Sequence, residues 1–242
     1  MSKNEKMLDA NREIYEDRYS KDKAFLRYPA DWIVRFHNIY MKKNVPDGRV
    51  LDYGCGSGNN SVFFMDKGYE TWGTDVAASF KDQVRQNMTR YGHREDLLRN
   101  FFVIPPDCSK LPFESGYFDL IVANQVLYYL SSAEQINKVT DELYRCLKPG
   151  GAVFFTMMGP GNCYIKYFAR QIHSANVYEV RIDEPGHRLY GFNQFIYVVR
   201  DRDELKKLFG RFEPLDIGYF DQSIFDMKSN FHWIFVGRKG KI

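Results

Sequence analysis

Residues 50–60, VLDYGCGSGNN, place three glycines at alternate positions directly after a short apolar run. Glycine permits backbone angles and close approaches that a Cβ forbids, so this turn is built to bend sharply and to let something near its main chain. The RVLDY before it reads as a buried strand, and the NNSVFFMDKG after it as a helix closed by Gly68. Outward from there the alternation continues. YETWGTD is a second strand, and residues 77–91 carry Ala77, Phe80, Val84 and Met88 at near-helical spacing. NFFVIPPD is a strand stopped by prolines, and FDLIVANQ is another. SSAEQINKVTDELYRCLKPGG opens on a capping box from Ser131 to Glu134, shows one apolar stripe (Ile136, Val139, Leu143, Leu147) and ends in Pro-Gly-Gly. AVFFTMM returns as a strand.

Strand–helix alternation at these intervals calls for right-handed crossovers, and so for an α/β doubly wound parallel sheet with helices on both faces. The C-terminal third differs. YVVRDRDELKKLFGRF gives a strand-like run and a helix, then LDIGYF and FHWIFVGRK form two strands with only a connector between them, an antiparallel hairpin at the sheet edge. Residues 1–48 and about 159–193 fit neither pattern and read as an N-terminal helical extension and an insertion within one domain spanning 1–242.

Composition narrows the function classes. A net charge of +3 with scattered lysines and arginines offers no basic track for nucleic acid. The four cysteines lack metal-ligand spacing, so no metal is expected. No run approaches the roughly 20 apolar residues of a membrane span, and MSKNEKMLDANREIYEDRYSKDK has no apolar leader core. A cytoplasmic protein with reduced cysteines, monomeric or homodimeric, is the expectation. Aromatics form 17% of the chain and cluster outside the core segments, as packing or as a pocket lining.

In sheets of this kind ligands bind beyond the carboxyl ends of the strands, where strand order reverses. A dinucleotide fingerprint needs glycine at position 59, where Asn59 stands, and no Gly-Lys-Ser/Thr ending marks a phosphate loop. The turn reads D-x-G-x-G-x-G, with Asp52 two places before Gly54. A carboxylate there repels a pyrophosphate but suits a ligand with a cationic ammonium or sulfonium group. Asp75 ends the second strand, where a carboxylate can accept both hydroxyls of a ribose. Asp107 closes the third, within reach of a purine's exocyclic amine.

VLDYGCGSG, the strand ending in Asp75, DCSKLPFESGYFDLIVANQVLYYL and LYRCLKPGG occur in order over about residues 48–158. Jointly they resemble the class I S-adenosylmethionine-dependent methyltransferases. The resemblance implies a Rossmann-like three-layer αβα fold whose seven-stranded sheet is mostly parallel, with its last strand antiparallel and inserted between the fifth and sixth. It also implies S-adenosyl-L-methionine as cofactor. Gly54, Gly56 and Gly58 would wall the methionine part, Asp75 would hold the ribose and Val76 would pack near the adenine. Asp107 and Cys108 would meet the adenine edge, and Asn124 and Gln125 would line the methyl-donor side. Tyr53 stands where a small or aliphatic residue is usual and reads as packing. Tyr129 stands where many relatives carry histidine, so a histidine base cannot be borrowed from them.

No catalytic group is named by the sequence; Tyr129, and His187 in the insertion, are the candidates. Similar enzymes use an N-terminal segment as a lid, which implicates Tyr15, Tyr19, Arg27 and Tyr28 in acceptor binding, with Tyr129 and, from the insertion, Tyr190. The Tyr-Pro-Ala-Asp run is more distantly similar to methyltransferases of surface-polysaccharide gene clusters. It favours a small polar acceptor, a sugar or nucleotide-linked precursor methylated on oxygen or nitrogen. A non-catalytic S-adenosylmethionine-binding module, and a methyltransferase acting on protein or RNA, are the alternatives. A nicotinamide-dependent oxidoreductase is disfavoured by Asn59.

Overall fold

A computed structural model describes residues 3–21, 25–108, 110–174, 176–187, 190–223 and 229–241. In chain order its elements are α1 (Lys3–Ser20), α2 (Asp31–Phe36), α3 (Lys42–Asn44), β1 (Arg49–Tyr53), α4 (Asn59–Asp66), β2 (Glu70–Asp75), α5 (Phe80–Arg90), β3 (Phe101–Val103) and β4 (Phe118–Ala123). They continue as α6 (Ala133–Cys146), β5 (Leu147–Met158), α7 (Cys163–Phe168), β6 (Ala169–Ser174), β7 (Val177–Ile182), β8 (Phe192–Tyr197), α8 (Arg202–Leu208), β9 (Glu213–Phe220) and β10 (His232–Arg238).

Seven strands form the main sheet in the order β3-β2-β1-β4-β5-β10-β9. β1 runs parallel to β2 and β4, and β4 to β5, while β10 is antiparallel to both β5 and β9. The reversed strand thus lies inside the outermost one. Strand order turns around between β1 and β4, which opens a crevice at their carboxyl ends.

Period two assigns the two faces. Leu51, Ile121, Val153 and Phe155 pack with Ile136, Val139 and Leu143 of α6 and Leu205 of α8. Val50, Leu120, Val122 and Phe154 point the other way, onto Ile33 and Phe36 of α2 and Phe63 and Phe64 of α4. Three layers result.

The structure moves some boundaries read from the sequence. The cap of α6 is Ser132, whose Oγ accepts from Gln135 N at 3.1 Å; Ser131 instead donates to the Gln135 side chain. β3 stops at Val103, after which Ile104 N still donates to Asp75 O. Pro105 and Pro106 follow and have no N–H for the ladder. Asp107 therefore sits four residues past the strand it was expected to close.

A second, antiparallel sheet of order β6-β7-β8 lies between β5 and α8 in the chain. β8 runs to Tyr197, so the boundary near residue 193 falls inside a strand, and the apolar run YVV belongs partly to this sheet. α1 lies across β8. Met7 and Leu8 share one buried cluster with Val180, Ile196 and the main-sheet residue Leu51. Asn11, 4% exposed, fixes the contact: its Nδ2 donates to Phe195 O (2.8 Å) and Tyr129 O (2.9 Å), and its Oδ1 accepts from Phe195 N (2.9 Å). A helix side chain thereby takes the place of a neighbouring strand. Among the described residues no helix is long and apolar enough to cross a membrane.

Candidate functional site

The glycine turn closes over the end of β2 through its main-chain N–H groups. Gly54 N and Cys55 N donate to Thr74 O at 2.8 and 2.9 Å. Gly56 N donates to Asp75 Oδ2 at 2.9 Å, and Ala77 N to Asp75 Oδ1 at 3.1 Å. Gly54 has φ +70°, and a Cβ there would lie 2.3 Å from Val126 Cγ2. At Gly56, with φ +52°, a Cβ would lie 2.8 Å from the Tyr19 hydroxyl. Both positions demand glycine by conformation and by space.

Two cavities meet at this turn. The smaller, about 110 Å³, is bounded by Asp75, Val76, Ile104 and Leu130. The larger, about 530 Å³, reaches Asn124, Tyr28, Tyr164 and His232 under the cap made by α1 and the second sheet. Tyr15, Tyr19, Gly54, Gln125 and Tyr129 line both, forming a shared wall. Tyr15 donates to the Tyr129 hydroxyl at 2.6 Å, and their rings meet edge-on at 5.2 Å.

Two non-glycine residues among those described have positive φ: Cys108 at 34° and Gln125 at 57°. Such strain gathers at functional sites. Gln125 is held by its N–H, which donates to Thr156 Oγ1 at 2.7 Å.

Of the residues picked out by sequence, Gly54, Gly56, Asp75, Val76, Asn124, Gln125, Tyr15, Tyr19, Tyr28 and Tyr129 line one or both cavities. The others do not. Asp52 is buried beneath the turn and accepts from Ser61 Oγ at 2.6 Å. Gly58 caps α4 with φ +74°, facing Val84. Asp107 faces Lys138, 3.6 Å away. Cys108 is wholly buried among core residues; burial pushes its thiol to about 12. The carbonyl of Arg27 accepts from Tyr91, and Tyr190 is 64% exposed beyond the cap. His187 packs edge-on against Phe168, 5.3 Å away, and lines neither cavity. Burial raises the Tyr129 hydroxyl well above its ordinary range, so it stays protonated.

Sequence reading missed Asn11, Trp32 and His232. The Trp32 Nε1–H donates to Asn124 Oδ1 at 2.7 Å, and its ring stacks on Phe220 at 3.5 Å. The apolar spacing of residues 30–36 marks a buried helix face but says nothing of the polar edge of this indole.

The site's electrostatics are set by desolvation. Asp75 is raised to about 6 by burial, opposed by its backbone donors at Ala77, Gly56 and Val76. Asp52 is raised further, to about 7, by burial, with Ser61 opposing. A carboxylate has about four lone-pair sites, so its three backbone donors leave Asp75 able to accept from a ribose hydroxyl. Val76, Ile104 and Leu130 offer an apolar slot beside it, and the tyrosine faces suit a small cation. These groups fit a nucleoside that carries a cationic group.

Residues 51–155 match the family described as the methyltransferase domain. Over 127 residues the chain is 32% identical to the malonyl-[acyl-carrier protein] O-methyltransferase of Legionella pneumophila, a match covering 52% of this chain and 41% of that enzyme. The chain thus spans less than half the length of this curated relative. An S-adenosylmethionine-dependent methyltransferase from Methanosarcina mazei superposes with a TM-score of 0.62 at 21% identity, covering 88% of this chain and 99% of that one. The 1,6-didemethyltoxoflavin-N1-methyltransferase of Burkholderia thailandensis, solved with 1,6-didemethyltoxoflavin and S-adenosylhomocysteine, gives 0.64 at 15% identity over 99% of this chain and 92% of that one. At these identities the two structures share the fold. From the glycine turn through the switch point to the reversed β10, sequence match and architecture agree: residues 51–155 carry the methyltransferase-domain pattern, and the chain takes the fold of S-adenosylmethionine-dependent methyltransferases.

Proposed function

We propose that the protein transfers a methyl group from S-adenosylmethionine to an oxygen or nitrogen of a small polar metabolite, such as a sugar or a nucleotide-linked precursor. One observation carries this reading: a nucleoside-sized slot at Asp75 and a larger cavity under the cap share a single wall of tyrosines and glycine-turn backbone. When bound, the cofactor supplies a methyl group already activated by its sulfonium. Asp75 accepts the ribose hydroxyls, Val76 and Ile104 pack the adenine, and Gly54 and Gly56 bring main chain against the methionine part. Tyr15, Tyr19 and Tyr129 present ring faces to the sulfonium. The cap excludes water and aligns the acceptor with the methyl–sulfur axis, an orientation that can supply about 7–11 kcal/mol. The match to the Legionella enzyme covers about half of this chain and less than half of that enzyme, so its acyl-carrier substrate is not carried over.

The test is incubation with methyl-labelled cofactor and, separately, the metabolite, protein and RNA fractions of a cell extract. Label is expected in a small molecule. Label in protein or RNA would sink the small-acceptor reading, and binding without any labelled product would indicate a cofactor-binding module. Asp75→Ala should weaken S-adenosylhomocysteine binding by about 1.5–3 kcal/mol in calorimetry; unchanged affinity would remove Asp75 from the ribose.

A further inference from the structure

His232 opens β10 where that strand passes the carboxyl ends of the parallel ones, opposite Met158 at the end of β5. It is 1% exposed and lines the larger cavity. Its ring is gripped by two others: Phe220 stacks on it at 4.8 Å and 14°, and Tyr128 lies 5.6 Å away. Phe220 is itself stacked on Trp32, which is tied to Asn124. The imidazole therefore has one fixed orientation.

Its Nδ1 lies 3.0 Å from the carbonyl oxygen of Asn230. A carbonyl oxygen only accepts, so Nδ1 carries the hydrogen and Nε2 keeps a bare lone pair. That lone pair has no hydrogen-bond partner among the described residues. Buried acceptors are nearly always satisfied in folded proteins, and exceptions call for a reason. Elsewhere on the larger cavity's lining, proton acceptors are scarce. Arg18 is the one charged side chain lining it among the described residues, and it can only donate. The Tyr15 and Tyr129 hydroxyls are bonded to each other.

We propose that His232 Nε2 takes the proton from the acceptor during methyl transfer, so that the nucleophile is a hydroxyl or an N–H group and not a carboxylate. This rests on the methyl-transfer reading above. The acceptor's lone pair forms the new bond to the methyl carbon, the methyl–sulfur pair stays on sulfur, and the acceptor's proton passes to Nε2. The positive charge lost from sulfur reappears on the imidazole, so the cavity gains no net charge. The Nδ1–H bond to Asn230 O and the Asp221 carboxylate both favour the imidazolium once formed. Before the step burial holds the ring near a pKa of about 4, which keeps it neutral and able to accept. A carboxylate acceptor is already deprotonated at neutral pH and would leave Nε2 with nothing to do.

Two measurements test this. In the full chain labelled with ¹⁵N-histidine and saturated with S-adenosylhomocysteine, His232 should show the Nδ1–H tautomer. Millimolar phenol, a protic probe, should move its Nε2 resonance, and benzoate should not. An Nε2–H tautomer, or an Nε2 signal that phenol leaves unmoved, overturns the proposal. With the acceptor found by methyl labelling, His232→Gln should lower kcat about 10²–10⁴-fold while S-adenosylhomocysteine affinity stays within about threefold. Imidazole should restore turnover to His232→Ala, and pyrrole, of the same shape but without the acceptor lone pair, should not. Wild-type kcat in His232→Gln, or an acceptor that proves to be a carboxylate, overturns the assignment and leaves methyl transfer standing. A wild-type protein that labels nothing overturns the function beneath it instead.

Discussion

The glycine turn and the cap build the same cavity wall by opposite means. The turn uses main chain: Gly54, Cys55 and Gly56 donate to Thr74 and Asp75, about twenty residues away in sequence. The cap uses side chains: Asn11 reaches Phe195, Tyr15 reaches Tyr129 and Trp32 reaches Asn124. Main-chain bonds are indifferent to side-chain identity but cannot tolerate a Cβ where the backbone is crowded. Side-chain bonds depend on the identity of single residues. The half proposed to hold the cofactor is thus conformationally strict, and the half proposed to face the acceptor is open to change by substitution.

Gly54→Val strikes the strict half hardest. The clash with Val126 and the positive φ should together cost roughly 2–6 kcal/mol in chemical denaturation and abolish S-adenosylhomocysteine binding. Gly68 has φ +88° and would place a Cβ with nothing within 4 Å, so Gly68→Ala should cost only about 1–2 kcal/mol and leave binding intact. Equal losses in the two variants would break the distinction between a crowded turn and an ordinary helix end.

Asp52 sharpens the comparison from beneath the turn. Its pKa rises from 3.8 to about 7 on folding. The folded chain keeps a proton that the unfolded chain releases, so stability falls as pH climbs from about 4 through 7. Asp75, raised to about 6, adds a smaller fall over the lower part of that window. Asp52→Asn can still accept from Ser61, and should raise stability above pH 7 by up to about 4 kcal/mol. The slope left across the window should be that of Asp75. S-adenosylhomocysteine affinity should hold; a loss matching that of Asp75→Ala would place Asp52 in contact with the ligand.

Asn11→Ala probes the clasp of the cap and should cost about 1–3 kcal/mol, because it strands the Phe195 N–H and two carbonyls. Amide exchange should quicken in α1 and β8 but not in β1 or β2. Loosening that spreads into β1 would show that the two halves are one cooperative unit.

The same contrast explains what could be read in advance. The switch point, the glycine turn, Asp75 and the reversed last strand were legible because each rests on a contiguous stretch whose spacing repeats a rule. Asp107 and Cys108 were legible as a motif but misplaced. Pro105 and Pro106 end the strand early and leave Asp107 turned toward Lys138 on α6. Asn11 gave no signal, since an asparagine in a polar helix looks solvated until β8 supplies its partner. His232 read as an edge-hairpin residue for a related reason. Its environment comes from β5, β9 and the turn carrying Tyr128, none of which lies near it in sequence. His187 and Tyr190 drew notice by sitting in the insertion, but the second sheet turns them outward.

The Asn11–Phe195 clasp also fixes an order of events on the ribosome. Phe195 is made 184 positions after Asn11, about 10–40 s later at ordinary rates of synthesis. During that interval the strands around the glycine turn can pair, because β1, β2 and β4 are complete by residue 123. The first helix must wait, its Met7 and Leu8 without the sheet that buries them. A chain broken off before residue 195 would carry the glycine turn without the strand that clasps α1, so that helix docks only after the strands around the turn have been made.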